Sequence, residues 1–342
     1  MSAHALSAHA GQRPFTTRFV SARDTFELLS DPRLLLLVEF GDRIADTPSD
    51  PRSILVGLRQ LGASPVAEVW ESETPVETGT LGKVAFSMND HVLVGHMTMD
   101  GRDFRSFETA THEAYQTFLP LAAELGFPHY LRLWNYIPDI NGPDVDDAGR
   151  DMERYKAFCA GRHAAFDAIS LAAPELPAAS GVGSRSGALL VYFIAAREAG
   201  FQVENPRQVS AFHYPPRYGP KSPAFSRAMI KDWGSIKHLY ISGTASIVGH
   251  ASRHRDRAAE QTIESLRNMS ALVRNADAEY GVGIRDLSGL TQIKVYVRHT
   301  RDLGTIRDCI EGVVSDPHRV LYLAGDLCRA DLLVELEGWY TG

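Results

Sequence analysis

In the second half of the chain, apolar positions fall into six successive patterns. His238–Gly243 (HLYISG) is a short strand-like run ending at glycine. Ile263, Leu266, Met269 and Val273 recur at helical spacing, and Thr291–Arg298 (TQIKVYVR) alternates, with Ile293, Val295 and Val297 on one face. Leu303, Ile306, Ile310 and Val313 mark an amphipathic helix, and Arg319–Ala324 and Asp331–Gly338 read as closing strands. The first half keeps that order. His91–Gly95 (HVLVG) is a strand. Tyr115, Phe118, Leu119, Ala122 and Leu125 give a helix over Thr111–Leu125. Tyr130–Ile137 (YLRLWNYI) alternates, and Met152–Phe166 is a second helix. A Gly/Ser-rich turn, Ser180–Gly187, and a strand, Ala188–Ala195, complete it. Both last strands carry Leu-Leu-Val, at Leu189–Val191 and Leu332–Val334.

Matched order over two halves predicts an α/β (α+β) fold of two tandem units, mixed sheets packed with helices. The expected division is a flexible tail at 1–14, an N-terminal domain at 15–201 with the more degenerate unit, and a C-terminal domain at 233–342. Between them, 202–232 is rich in Pro, Tyr and Arg. It reads as a connecting loop, either a plain linker or a rigid loop presenting side chains to a ligand. Strand-like segments within 15–85 (LLLLVEFG, SILVGLRQL, PVAEVWESE) fit either a decayed further unit or a flanking sheet.

Composition removes several classes of function. A formal charge of −7 gives no footprint for nucleic acid, so an anionic ligand must meet a local cluster of Arg or Lys. No apolar run approaches the ~20 residues of a membrane span, and the N-terminus lacks the pattern of a secretory signal. Cys159, Cys309 and Cys328 are widely spaced, which suits a reducing cytoplasm and argues against a disulfide framework or a Cys-based zinc site. Gly181, Gly183 and Gly187 are spaced wrongly for a dinucleotide loop. His250 and His254 lack a third metal ligand and are crowded by Arg253, Arg255 and Arg257. No metal and no organic cofactor is expected.

If chemistry concentrates between duplicated units, the positions that differ between copies are informative. Alignment on Leu-Leu-Val sets Glu335 opposite Tyr192 and Cys328 opposite Arg185. In the last strand Leu333, Glu335 and Glu337 point away from Leu332, Val334 and Leu336. A mid-strand carboxylate among aliphatics is either a solvated edge residue or an acid kept protonated by an apolar pocket. Tyr155, Cys159 and Arg162 share one face of their helix. An arginine there has either a structural Glu partner or a ligand carboxylate.

The second half resembles the YjgF/Rid family through LYISG, QIKVYVRHTRD and HRVLYLAGDLCRADLLVELEG. That resemblance matches Glu335 to the family's functional Glu and, within one residue, Arg319 to its carboxylate-binding Arg. From about Leu131 onward the chain resembles the FkbO-type chorismatases, through LRLWNYIPDIN, ERYKAFCAGRHAAF, PAASGVGS, NPRQVSAFHYPPRYGPKSPAFSRA, HLYISGTASIVGH and DLLVELEG. The resemblance implies a cofactor-independent, monomeric enzyme that releases pyruvate from chorismate. The cysteine usage, charge and apolar runs add the expectation of a cytoplasmic protein with no nucleic acid or membrane partner. Glu335 would protonate the enolpyruvyl methylene. Arg162 and Arg217, with Arg298 and Arg319 as further candidates, would clamp the two carboxylates, and Tyr155 and Tyr214 would add hydroxyl donors. Gly243 and Cys328, seven residues before Glu335, match the branch that makes 3-hydroxybenzoate, where Cys328 would accept or relay a proton. The rivals are the hydrolytic branch, which gives 3,4-dihydroxycyclohexa-1,5-diene carboxylate, a Rid-type imine deaminase and a non-catalytic metabolite-binding module.

Overall fold

The computed structural model describes residues 13–42, 49–62, 64–100, 105–146 and 148–342. The tail expected at 1–14 therefore lies, except for Arg13 and Pro14, outside the described residues. The chain opens with β1 (Thr16–Ser21), one helical turn α1 (Thr25–Leu28), β2 (Leu34–Phe40), β3 (Ser53–Val56), β4 (Arg59–Gln60) and β5 (Val66–Glu71). A first unit follows: β6 (Glu77–Leu81), β7 (Val84–Met88), β8 (Val92–Asp100), α2 (Phe107–Glu124) and β9 (His129–Pro138). It continues through a hairpin, β10 (Pro143–Val145) and β11 (Asp151–Glu153), to α3 (Arg154–Ala168), β12 (Ala178–Ser184) and β13 (Ala188–Ala196). The second unit begins with β14 (Phe201–Val203), β15 (Ala228–Asp232), β16 (Lys237–Ala245) and a hairpin of β17 (Ile247–Val248) and β18 (Ala251–Ser252). It ends with α4 (Ala258–Tyr280), β19 (Gln292–Val297), α5 (Leu303–Glu311), β20 (Val320–Ala324), β21 (Asp326–Leu327) and β22 (Val334–Tyr340).

The two units match strand for strand. One sheet runs β12-β9-β13-β8-β7-β6 and the other β20-β19-β22-β16-β15-β14. Each has one parallel pair, β9 with β12 and β19 with β20, joined by a crossover helix as parallel strands require. The remaining edges are exchanged. β21 of the second unit adds to β12, and β4, from before the first unit, adds to β20.

Two expectations are corrected here, and both corrections strengthen the repeat. Ser180–Gly187 is not a turn throughout: Ala178–Ser184 forms β12, the counterpart of β20. Its small residues reflect crowding, since a Cβ on Gly183 would sit 2.7 Å from Ile140 Cγ2 and from Asp326 Cβ. The segment 202–232 is not loop throughout either, because β14 and β15 hold its two ends in the second sheet.

Helices cover the outer face of each sheet. Phe118, Phe158, Leu133 and Phe193 pack in the first unit, and Leu272, Ile293, Val295 and Leu336 in the second. The inner faces meet over a third core holding Trp134, Tyr192, Tyr240, Tyr296 and Trp339. Trp70 and Leu36 enter this core from a four-stranded sheet, β1-β5-β2-β3, so 16–71 supplies a flanking sheet rather than a further unit. No helix among the described residues is long and apolar enough to cross a membrane.

Candidate active site

Between the two units lies a cavity of about 650 Å3. The first unit contributes Tyr155, Cys159 and Arg162 from α3 and Ser180 from β12. The second contributes Gly243 from β16, Cys328 and Arg329 from the turn after β21, and Glu335 from β22. Tyr214, Arg217, Tyr218 and Arg227, from the segment before β15, form a further wall.

A break in strand pairing exposes Glu335 to this space. Ile241 pairs with Gly338 but Thr244 with Leu336, so Ser242 and Gly243 lie opposite Glu337 alone, a β-bulge. The bulge is pinned: Ser242 Oγ donates to Ser226 O at 2.6 Å and accepts from Ala179 N at 2.8 Å, while Gly243 N donates to Ser180 Oγ at 2.9 Å. A Cβ at Gly243 would strike the Glu335 carboxylate, lying 2.9 Å from its Cδ, so glycine here sets where that carboxyl can rest. Glu335 is 4% exposed, and among the described residues nothing donates a hydrogen bond to its carboxyl. Burial, then the charge of Glu337, lifts its pKa to about 8 against the pull of Arg132, Arg227 and Arg298. It is therefore an acid holding its proton at neutral pH.

Arg162 is 2% exposed, and among the described residues it has no acidic partner. Its Nε has no hydrogen-bond partner, and the guanidinium lies 4.9 Å from the Phe158 ring centroid. Of the two explanations for a buried arginine, the structural Glu is absent among the described residues, and an anion entering the cavity would supply a partner. Arg227, 4% exposed, differs in having an acid nearby, for the Glu204 carboxylate accepts from its backbone N at 3.1 Å. Its Nη2 donates to Val209 O at 2.8 Å and Tyr214 OH at 2.7 Å, and its Nε has no partner. Arg329 lies 4.1 Å from the Tyr218 ring centroid and donates to His250 O at 3.0 Å. Buried cations thus approach the cavity from both units, as a ligand with two separated carboxylates would require. Among the described residues, no group of three or more His, Cys, Asp and Glu is placed to hold a metal ion.

A family model described as "Chorismatase FkbO/Hyg5-like, N-terminal" matches residues 68–195. A 3-hydroxybenzoate synthase of Streptomyces hygroscopicus is 36% identical over 285 residues, 81% of this chain and 82% of that protein. The chain belongs to the chorismatase family. A chorismatase of Streptomyces rapamycinicus is 37% identical over 281 residues, 80% of this chain and 81% of its own. A chorismatase crystal structure aligns with TM-score 0.86 and 32% identity, over 96% of this chain and 99% of that one. The tandem α/β fold read from the sequence is thus a chorismatase fold.

Of the sequence-predicted site residues, Glu335, Cys328, Tyr155, Arg162, Tyr214, Arg217 and Gly243 line the cavity. Arg217 does so from the exposed rim, where its Nη2 faces His250 Nδ1 at 2.8 Å. The Cys328 thiol is pushed up to about 12 by burial and then by Glu335, so it enters any proton step as the neutral thiol and not as a ready acceptor.

Arg298 and Arg319 are corrections, since neither lines the cavity. Arg298 Nε donates to Leu332 O at 2.7 Å, its Nη2 to Leu327 O at 3.1 Å and Arg329 O at 3.0 Å, and its Nη1 to Asp326 at 2.7 Å. With its donors committed to the turn carrying Cys328 and Arg329, it shapes that turn. Arg319 pairs with Asp316 at 3.2 Å and donates to Ser288 O and Leu290 O. The sequence reading missed Arg227 and Arg329. Arg227 directly precedes β15, and the strand pattern after it was the available signal, hidden inside a stretch read as linker.

Proposed function

We propose that the protein converts chorismate to 3-hydroxybenzoate and pyruvate, with Glu335 delivering a proton to the terminal methylene carbon of the enolpyruvyl ether. One observation carries the reading: a protonated, buried Glu335 opens onto a cavity shared with Arg162, a buried cation without an acidic partner. Protonation makes the side chain an oxocarbenium ion, and Glu335, now a carboxylate, stabilises it electrostatically. Attack of the ring 4-hydroxyl on C3 then breaks the C3–O bond. Pyruvate leaves with the ether oxygen as its carbonyl. The oxygen now bridging C3 and C4 is released from C4, and C3 gives up its hydrogen as a proton, returning it to the Glu335 carboxylate, so that the ring aromatises with the hydroxyl on C3. No water is consumed. In the hydrolytic branch, water adds instead and the diene diol forms. Arg162 with Arg227 would hold the two carboxylates, and Tyr155 and Tyr214 would add hydroxyl donors. The reading takes the protein as a cytoplasmic monomer acting on a free small molecule. Purified protein incubated with chorismate should give equimolar 3-hydroxybenzoate and pyruvate, resolved by chromatography. Diene diol as the main product would assign the hydrolytic branch, and absence of pyruvate would overturn the reading.

Gly243 and Cys328 are the proposed branch-setting residues, and the geometry separates their effects. Cys328→Ala should lower the 3-hydroxybenzoate fraction while pyruvate release persists, because the thiol is not the initial acid. Gly243→Ala must displace the Glu335 carboxyl, so it should slow pyruvate release as well as shift the product ratio. Displacements of about an ångström change rates by about 100-fold. An unchanged ratio in both variants would place the branch point elsewhere.

A further inference from the structure

Behind Glu335 stands a closed group of four buried charges that never touches the cavity directly. Glu337 is two residues along β22 from Glu335, on the same face of the strand. It pairs with Arg132 at 2.8 Å and Lys294 at 3.3 Å and accepts from Trp134 Nε1 at 2.8 Å and Ser180 Oγ at 2.5 Å. Lys294 pairs on its other side with Glu68 at 2.8 Å, and Glu68 accepts from Trp70 Nε1 at 2.8 Å. None of the four charged residues is more than 4% exposed. Two acids and two bases leave the group neutral with Glu337 ionised, and its members come from β5, β9, β19 and β22.

We propose that Glu337, fixed as a carboxylate by Arg132 and Lys294, is a positioning residue whose charge keeps Glu335 protonated until substrate takes the proton. The inference deepens the proposed function and rests on Glu335 being its acid. Residues two apart on a strand are separated by about 7 Å, close enough in a buried setting for like charges to repel appreciably. Ser180 ties the two carboxyls to one frame. Its hydroxyl donates to Glu337 and accepts from Gly243 N, and the Gly243 bulge is where the Glu335 carboxyl rests.

The pKa directions agree. Burial alone would raise Glu337, but Lys294, then Arg132 and the Ser180 and Trp134 donors, hold it below its ordinary value. Glu335 goes the opposite way, through burial and then through Glu337. The other charges acting on Glu335 are Arg132 on β9, Arg227 before β15 and Arg298 after β19, all cations that would favour its ionisation. Tyr155 and Cys328 remain neutral around it, and burial likewise keeps Tyr136, Tyr192 and Tyr296 neutral around Glu337. Once the proton has moved, the same fixed charge favours the oxocarbenium ion.

The test compares the full-length parent with Glu337→Gln, Glu337→Gln/Lys294→Met and Glu68→Gln. The second variant removes the Glu337 charge while keeping the buried group neutral, in case the first does not fold. The third removes an acid from the same core and leaves Glu337 held by both Arg132 and Lys294. Two readouts are taken: kcat/KM against pH, and infrared titration of the Glu335 carboxyl without substrate, its band assigned by its loss in Glu335→Gln. Both Glu337 variants should move the Glu335 titration and the alkaline fall of kcat/KM down by about one pH unit or more. Glu68→Gln should leave both near the parent. An unmoved carboxyl titration in the Glu337 variants overturns the inference, as does an equal shift in the Glu68 control. If the carboxyl titration moves as expected but Glu335→Gln keeps its turnover, it is the assignment of the acid that fails.

Discussion

Glu335→Gln should lower kcat by about 10²–10⁴-fold with little change in chorismate binding. The amide fills the same space on β22 but cannot deliver a proton to carbon, so the loss falls on a step made only in the transition state. The pH dependence follows from the same group. The active form of Glu335 is protonated, so kcat/KM should be level at lower pH and fall as pH rises through about 8. An ordinary glutamate would already have lost its proton by about pH 5. Steady-state kinetics and calorimetric titration of parent and variant check both parts. A glutamine variant retaining more than about a tenth of parental kcat would assign the proton to another group.

Glu335 was legible in the sequence because a strand alternates. A carboxylate between Val334 and Leu336 must lie on the face opposite to them, and the structure puts those two in a helix-covered core and Glu335 at the cavity. Arg162 was legible through its helical register with Tyr155, though the sequence left its partner open. What stayed hidden depended on pairing between distant segments. β12 is Ala, Ser and Gly apart from Val182, a composition that suggests a turn, and it is a strand because β9 pairs along it and β21 pairs with Val182 and Gly183. Arg227 and β15 lay inside a Pro-rich stretch whose one signal, the short apolar run Ala228–Ile230, is too brief to mark a strand by itself. Arg298 and Arg319 looked like ligand arginines because backbone carbonyls, which satisfy most of their donors, leave no trace in a sequence. Glu337 showed the same alternation as Glu335. Its distinct role depends on Arg132 and Lys294, which come from other strands of the two sheets.

Arg162→Met should weaken chorismate binding by about 1.5–3 kcal/mol while leaving the free protein as stable as the parent or more so. The two effects have one origin. A guanidinium that is 2% exposed, with an unpartnered Nε and no acidic partner among the described residues, has lost its hydration without full replacement. Methionine keeps most of the volume and packs against Phe158 without the charge. Removing the cation therefore relieves the free protein and deprives the bound carboxylate of its partner. The affinity loss corresponds to roughly 10–150-fold in Kd. Arg217→Ala should lose less, because Arg217 is exposed at the rim and interacts through solvent-screened contacts. Calorimetric titration with chorismate, using an inactive Glu335→Gln background so that substrate persists, measures affinity, and thermal unfolding measures stability. A lowered Tm with unchanged affinity would mean that Arg162 serves the fold and that the substrate carboxylates are held elsewhere.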